Sequence, residues 1–324
     1  MNKDNYFLLY SDCIPVLGMS NSIIMDLQRI EYYDIPNLIC EILILNRKKQ
    51  YSLEKLKEIY KNKYDNGIDS FFAYFVEKEL GFFTDKPTLF PLIQLNYNSP
   101  FKILTGIISY DTSISLYNLK DALNQFSFLG CQSLQMRIYK KINISFLVDI
   151  MKSFIDNRIN TIEMFLENYN YSMLELTKLI ECNIKIKLII HSHNENLNTQ
   201  RIKFTTQKIN HYPKEIISKK LFTCNTMFYI ESYNFNIGLN RKICIDHRGN
   251  IKRFINHKKS FGNIINTKLL DVLESEKFKK IWTIKNDDIE ICKKCQYRYM
   301  CLSNSDIEHK NGKYYKINYC NIDI

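Results

Sequence analysis

The chain has 324 residues, 45% of them apolar, with nine glycines and six prolines. That length supports two or three domains with a sizeable core, and the scarcity of Gly and Pro excludes a linker-rich or low-complexity protein. The net charge is +11, but Lys and Arg are spread along the chain. A solvated basic surface accounts for them, and nucleic acid is not the expected partner. No apolar run reaches membrane-span length, so no membrane association is expected. The first residues lack the apolar core of a signal peptide, and ten cysteines without such a signal point to a reducing cytoplasm.

Phe7 to Tyr33 is rich in β-branched and aromatic residues broken by Pro15, Gly18 and Asn21, which predicts two or three short strands. Ser22–Arg29 is one of them. Pro36 is placed for the first turn of a helix whose Leu38, Ile39, Ile42 and Leu45 share a face. Ser52 caps a second helix carrying Leu53, Leu56, Ile59 and Tyr60 inward. A third runs from about Ile68 to Leu80, with Phe71, Phe72, Phe75 and Val76, and stops at Gly81. Phe82–Thr84 is a return strand.

A small sheet, three helices and a strand make a winged-helix pattern. The third helix offers Phe, Tyr and Glu rather than Arg or Asn, a poor reader of base edges. A peptide-binding unit fits better, with an extended peptide added to an exposed edge strand and lying against the third helix. The edge strand is expected at Ile23, Ile24, Met25, Asp26, Leu27, Gln28 and Arg29, and the helix contacts at Phe71 and Phe75. Most of the aromatics are expected to form the domain's own core.

From about residue 91 to residue 220, strand-like runs alternate with amphipathic helices. The strands are Phe101–Ile108, Leu134–Tyr139, Thr161–Leu166 and Ile184–Ile190. The helical stripes are Leu116, Leu119, Leu123 and Phe126, capped by Ser115 and ended by Gly130; Phe146, Leu147, Ile150, Met151 and Phe154; and Leu174, Leu176, Leu179 and Ile180. Such alternation implies βαβ units and a parallel sheet, open or curled into a barrel. Ligands on these sheets bind at the carboxyl ends of the strands, where Asp111, Arg137, Glu167, His191 and His193 fall. Each is equally readable as an ordinary loop residue. No dinucleotide fingerprint, phosphate-binding loop or nucleophile elbow is present. Cys131 and Cys182 read as buried thiols.

Phe222 to Phe254 reads as strands and a hairpin containing Cys224 and Cys244, with a turn at Asp246–Asn250. A second turn spans Phe261–Ile264, and Leu269 to Trp282 reads as one helix. Cys292, Cys295, Cys301 and Cys320 then give C-x2-C-x5-C-x18-C. Four thiols with one tight pair suit zinc or an iron–sulfur cluster better than disulfides, since a bond within C-x2-C would strain its loop.

The segments Ile243–Ile251, Phe261–Ile264, Phe278–Trp282 and Cys292-x2-Cys295-x5-Cys301 resemble, in order and spacing, the SPASM domain, the auxiliary-cluster module of radical SAM peptide-modifying enzymes. The alternating region looks like the partial (β/α) barrel of those enzymes, and the start of the chain looks like the winged-helix recognition element that captures a precursor's leader peptide. Ser11–Val16, Ile23–Arg29 and Ile35–Asn37 add a resemblance to the peptide maturases of grasp-with-spasm gene clusters. The resemblance implies an α/β chain with a recognition element over residues 1–90, a degenerate partial barrel over 91–220 and a SPASM-like domain over 221–324.

It also implies departures. The radical SAM motif C-x3-C-x2-C is expected after Ile108, where the chain has Ser109–Ser115, and no cysteine lies between Cys40 and Cys131. No cleavage of S-adenosylmethionine is therefore expected. Of the two clusters of a SPASM module, the ligands of one match Cys292, Cys295, Cys301 and Cys320, which implies one [4Fe–4S] cluster, with Zn2+ the alternative. The other set is broken. Ser305 and the region of Phe254 stand where cysteines belong, leaving Cys224 and Cys244 as a possible partial second site. The function implied is a peptide-maturation protein that binds a precursor leader and assists a companion ATP-grasp ligase. The alternatives are an iron–sulfur enzyme acting on the peptide itself and a zinc-containing winged-helix DNA-binding regulator.

Overall fold

Short β-branched and aromatic runs open the chain as strands β1 (Tyr6–Leu9), β2 (Cys13–Val16), β3 (Ser22–Asp26) and β4 (Glu31–Ile35). Helices α1 (Asn37–Lys49), α2 (Leu53–Ile59) and α3 (Asp65–Glu77) follow, then the return strand β5 (Gly81–Thr84). The structure, a computed structural model, describes residues 5–215, 217–219, 222–318 and 320–322. Pro36 stands just ahead of α1, in the extended conformation, and Ser52 Oγ accepts the Lys55 N–H at 3.3 Å to cap α2. The alternating region gives β6 (Thr105–Tyr110), α4 (Leu119–Phe128), β7 (Ser133–Ile138), α5 (Ile144–Lys152), β8 (Thr161–Glu167), α6 (Met173–Glu181) and β9 (Ile186–His191). Two short strands, β10 (Leu197–Asn198) and β11 (Ile202–Phe204), end it. The rest holds α7 (Thr226–Asn234), β12 (Lys242–Ile245), β13 (Ile251–Lys252), α8 (Leu269–Glu274), α9 (Glu276–Lys279), β14 (Ile307–Lys310) and β15 (Lys313–Lys316).

Three local expectations change. Ser115 does not cap α4. Asn118 does, accepting from Asp121 N–H at 3.1 Å, and Leu116 ahead of it is exposed. Thr226–Asn234 is a helix where strands were expected. Its aromatic residues favour strands, but Asn225 accepts the Phe228 N–H at 2.9 Å and starts a helix turn. The helix expected over Leu269–Trp282 is interrupted at Ser275, whose extended backbone separates α8 from α9.

The chain forms two compact units that cut across the three segments expected from sequence. One comprises Met1–Tyr97, Ile216–Gly238 and Ile284–Ile324; the other comprises Asn98–Glu215 and Leu239–Thr283. The expected boundary at 220/221 itself lies outside the described residues.

In the first unit, β1 pairs antiparallel with β5, and β2, β3 and β4 form a second antiparallel sheet with β3 in the middle. Successive residues of this sheet feed two different cores, as the twofold alternation of a strand requires. Cys13, Ile24 and Ile35 face α1, α2 and α3, joining Phe7, Phe72 and Phe75. Ile14, Val16, Ile23 and Met25 face the other way, onto Tyr229, Tyr297 and Met300.

In the second unit, β6, β7, β8 and β9 run parallel in sequential order, each step crossed by a helix. β12 adds parallel to β6 on one side and β11 parallel to β9 on the other, with β13 and β10 as antiparallel edges. The protein is thus mixed α/β with a large, mostly parallel sheet. Gly130, at φ 77°, ends the turn after α4 as expected. Among the described residues, no helix is long and apolar enough to cross a membrane.

Gly238 sits where two stretches of backbone of the first unit cross. A Cβ there would stand 1.7 Å from the Ser303 carbonyl oxygen. Gly238→Ala should lower the thermal unfolding midpoint, at a cost of at least about 1–3 kcal/mol, because backbone rather than a side-chain tip must give way. Gly67→Ala is the control. It lies on an exposed face of α3 with nothing within 4 Å of its missing Cβ, and should stabilise by about 0.5–1 kcal/mol. Equal midpoints for the two variants would contradict this packing.

Candidate functional site

The cysteine stretch is a compact loop of the first unit. Cys292–Lys294 make one tight helical turn, the Cys295 N–H closes it on the Cys292 carbonyl at 2.9 Å, and the Tyr297 N–H donates to Cys295 Sγ at 3.3 Å. Asn286 Nδ2 donates to the Arg298 carbonyl at 2.7 Å, and Arg298 pairs with Asp287 at 2.9 Å. Arg298 also donates to the Leu17 carbonyl at 2.7 Å, and the Tyr297 ring meets the Tyr32 ring edge-on at 5.5 Å. The loop is therefore one wall of the core beneath β2 and β3.

Cys292, Cys295, Cys301 and Cys320 are all half-buried. Burial raises the Cys292 thiol; the neighbouring Cys301 and Cys320 raise it further, and Lys316 opposes. Burial likewise pushes Cys295 up to about 12; the Tyr297 N–H opposes this, and Cys301, Cys292 and Cys320 add to it. The four sulfurs thus lie within electrostatic reach of one another. They are not gathered at coordination distance: among the described residues no three His, Cys, Asp or Glu side chains form a ready set of metal ligands. The two facts are compatible, because charge acts over a longer range than a metal–sulfur bond. As a donor set, four thiols fit a thiolate-bound cluster or a tetrahedral zinc, provided the protons leave and the sulfurs draw in. Cys224 and Cys244 belong to different units. The Cys224 thiol donates to the Glu31 carbonyl at 3.1 Å, while Cys244 is fully buried in β12 with its thiol raised by burial.

The expected recognition strand needs correction. Ser22–Asp26 is not an edge; it is hydrogen-bonded on both sides, and Ile23, Ile24 and Met25 are wholly buried. Asp26 and Leu27 are buried as well. Asp26 Oδ1 accepts the Gln28 and Arg29 N–H groups at 3.1 and 3.0 Å. Arg29 reaches Asp26, the Lys78 carbonyl and the Glu79 carboxylate, tying this turn to the end of α3. Phe75 lies in the core and Phe71 packs on it, ring centroids 5.9 Å apart. The edge of this sheet on that side is β4, which pairs only with β3 among the described residues and exposes Glu31 and Asp34.

In the second unit, the carboxyl ends of the parallel strands bring together three of the residues singled out from sequence. Asp111, Arg137 and Glu167 follow or end β6, β7 and β8, and all three hold one segment of chain. Glu167 Oε2 accepts the Ile209 N–H at 3.1 Å, an Arg137 Nη donates to the Asn210 carbonyl at 3.0 Å, and Asp111 Oδ2 lies 3.5 Å from His211 Nε2. His191 Nδ1 lies 3.1 Å from the Gln207 carbonyl, so residues 207–211 are strapped across four strand ends. His191 and His193 do not converge, because His193 turns to Glu195 and the Phe204 ring. In the turn after β6, Asp111 accepts from Ser113 N–H at 2.9 Å and from its hydroxyl at 2.5 Å. Ser115 Oγ bridges the Asp111 N–H and the His247 carbonyl at 2.9 and 2.7 Å. Tyr139 stacks on His211 at 3.9 Å, and His211 meets His247 edge-on at 4.5 Å.

Sequence reasoning passed over Asp246 and Lys252 as ordinary hairpin residues. Asp246 is fully buried and accepts from the Arg248 and Asn250 N–H groups at 2.9 and 3.0 Å, from the Asn250 side chain, and from buried Lys252 Nζ at 2.8 Å. Burial works against its charge, but Lys252 and Asn250 outweigh burial and hold the carboxyl below its usual range. The ionised carboxylate therefore stabilises the fold above the unfolded-state value near about 3.9, and that contribution is lost as pH falls through the lower folded value. Asp246→Asn should cost about 3 kcal/mol at pH 7 by leaving Lys252 uncompensated, and should flatten the acid limb of stability against pH. An unchanged acid limb in urea melts would show that the pair contributes nothing.

Residues 238–296 match the family model of SPASM, an iron–sulfur cluster-binding domain. Cys244, Cys292 and Cys295 fall inside the match, Cys224 precedes it, and Cys301 and Cys320 follow it. The comparison with curated protein sequences gives no match. Two crystal structures of SuiB from Streptococcus suis, one bound to S-adenosylmethionine, align over 91% of this chain and 94% of theirs. Identity is 11% and 12%, with TM-scores of 0.29 and 0.30. Over residues 238–296, this chain is similar to an iron–sulfur cluster-binding domain.

Proposed function

We propose that this protein serves peptide maturation: it captures the leader of a ribosomally made precursor, carries one thiolate-bound cluster, and assists a companion ATP-grasp ligase in the cytoplasm. The observation that carries the reading is the placement of the cysteine loop. Tyr297 and Met300, inside the C-x5-C interval, pack under β2 and β3 in one core. Thiolate ligation in the loop and the shape of the N-terminal sheet are thereby one structural problem. The winged-helix-like N-terminal element would receive the leader by strand addition to β4, whose outer edge runs from Tyr32 to Asp34. Cys292, Cys295, Cys301 and Cys320 would hold a [4Fe–4S] cluster. Four thiolates saturate it, and a saturated cluster braces a fold or passes electrons rather than binding substrate. Ser109–Ser115, knitted by Asp111 and Ser115 into a hydrogen-bonded turn, offers no thiolate for a second, S-adenosylmethionine-cleaving cluster.

Reconstituted protein should absorb near ~400 nm, the signature of thiolate-bound iron. Cys295→Ser should lose that band and lower the melting temperature of the N-terminal sheet with it, because the loop walls its core. A colourless protein holding zinc would replace the cluster with Zn2+ and leave the bracing role intact. Full metal content with an unchanged melt in Cys295→Ser would remove this cysteine from the site.

Leader capture has a separate signature. Hydrogen exchange on the full chain with a precursor peptide should show new protection at Tyr32–Ile35 and no change at Ser22–Asp26, whose amides are already paired on both sides. Protection that survives deletion of the leader would overturn the assignment of β4.

A further inference from the structure

The second unit holds a groove that the reading above does not use. It lies at the carboxyl ends of β8 and β9 and is closed on one side by the β10–β11 hairpin, with a volume of about 550 Å³. That is within the range of small-ligand sites, and the carboxyl ends of parallel strands are where such sites occur. Leu176, Ile190 and Phe204 form a buried apolar floor. Asn170, Asn194 and Asn198 stand on the exposed rim, and their side-chain amides make no hydrogen bond to other described residues. Not one residue lining the groove is Asp, Glu, Lys or Arg, in a chain whose net charge is +11.

The chemistry of these walls selects an occupant. A primary amide carries a donor and an acceptor, as a peptide group does, so the three asparagines can pair with a neutral backbone. A charged ligand would lose water here and find no Asp, Glu, Lys or Arg to pair with, His193 being the one ionisable imidazole in the lining, which costs more than the contacts return. The groove is also bordered by β10, the last strand of its sheet, whose far side is unpaired among the described residues. An open strand edge beside an apolar floor accepts an extended chain, with main-chain bonds to the edge and alternate side chains on the floor. A sugar would use the amides but not the strand edge.

We infer that this groove docks an uncharged, extended peptide segment, paired to the edge of β10 and held by Asn170, Asn194 and Asn198. The inference rests on the reading that the protein handles a peptide, and assigns this unit a segment distinct from the leader at β4. The test uses the full chain and a capped, fluorescently labelled heptapeptide, Thr-Gln-Leu-Thr-Gln-Leu-Thr, with versions carrying Glu or Lys in place of Gln. The neutral peptide should bind at least about tenfold more tightly than either charged version. On binding it should protect the Asn198 amide, the one between Leu197 and Thr199 that points away from β11, and leave Tyr32–Ile35 unchanged; the Thr199 N–H already donates to the Ile202 carbonyl at 2.8 Å. The doubly substituted Asn194→Asp, Asn198→Asp chain, altered only at exposed positions, should keep its melting curve and bind the neutral peptide about tenfold more weakly.

Equal binding of the three peptides, protection at β4 instead of β10, or undiminished binding by the variant would overturn the groove assignment. So would displacement of the peptide by a neutral oligosaccharide, which would make this a sugar site. Leader capture is read at β4 on the precursor, so either assignment can fail while the other stands.

Discussion

The burial of β3 on both faces is the constraint on which the first unit depends. A strand sends successive side chains to opposite sides, and Ile23, Ile24 and Met25 leave no polar position between them. The sheet therefore needs a cover on each face. Helices α1, α2 and α3 supply one. The other comes from α7 and from the cysteine loop at the far end of the chain, through Tyr229, Tyr297 and Met300. A loop with little regular structure of its own is thus held by a core, and that core is incomplete without it. Four half-buried thiols lie on that loop, and burial raises those of Cys292 and Cys295, so that their thiolates need a metal to take up the charge.

The second unit resolves a different question of physics. Parallel strands deliver polar residues to one end of the sheet, and buried ionisable groups there must find partners. Asp111, Arg137 and Glu167 find theirs in the backbone and His211 of the 207–211 segment, and Asp246 finds its partner in Lys252. These side chains are occupied with holding chain to chain. The groove bordered by β10 differs in kind, because the amides of Asn170, Asn194 and Asn198 bond to no other described residue and no Asp, Glu, Lys or Arg lines it.

Much of this architecture was legible in the order of residues. The alternation of β-branched runs with 3.6-residue stripes located β6 to β9 and the helices between them, because period and length distinguish the two elements without tertiary information. Ser52 and Gly130 marked helix ends through local chemistry alone. Errors arose where local and tertiary preferences diverge. Thr226–Asn234 has strand-favouring aromatics, yet the Asn225 cap and packing on the N-terminal sheet make it a helix. The run Ile23-Ile24-Met25 was read as an edge, although an unbroken apolar run is itself the sign of a strand covered on both faces.

What the sequence by itself determined is the set of elements and the thiol donor set: hydrophobic period, caps and cysteine spacing are properties of neighbours along the chain. Only the tertiary structure decided which strand is central and which is an edge. It also decided that Tyr297 and Met300 close a core begun at Ile14, and that the strand-end acids grip a strap instead of facing solvent. Each of these depends on which distant segment covers a face or pairs with a charge. Periodicity says that a face must be covered. It does not say by what.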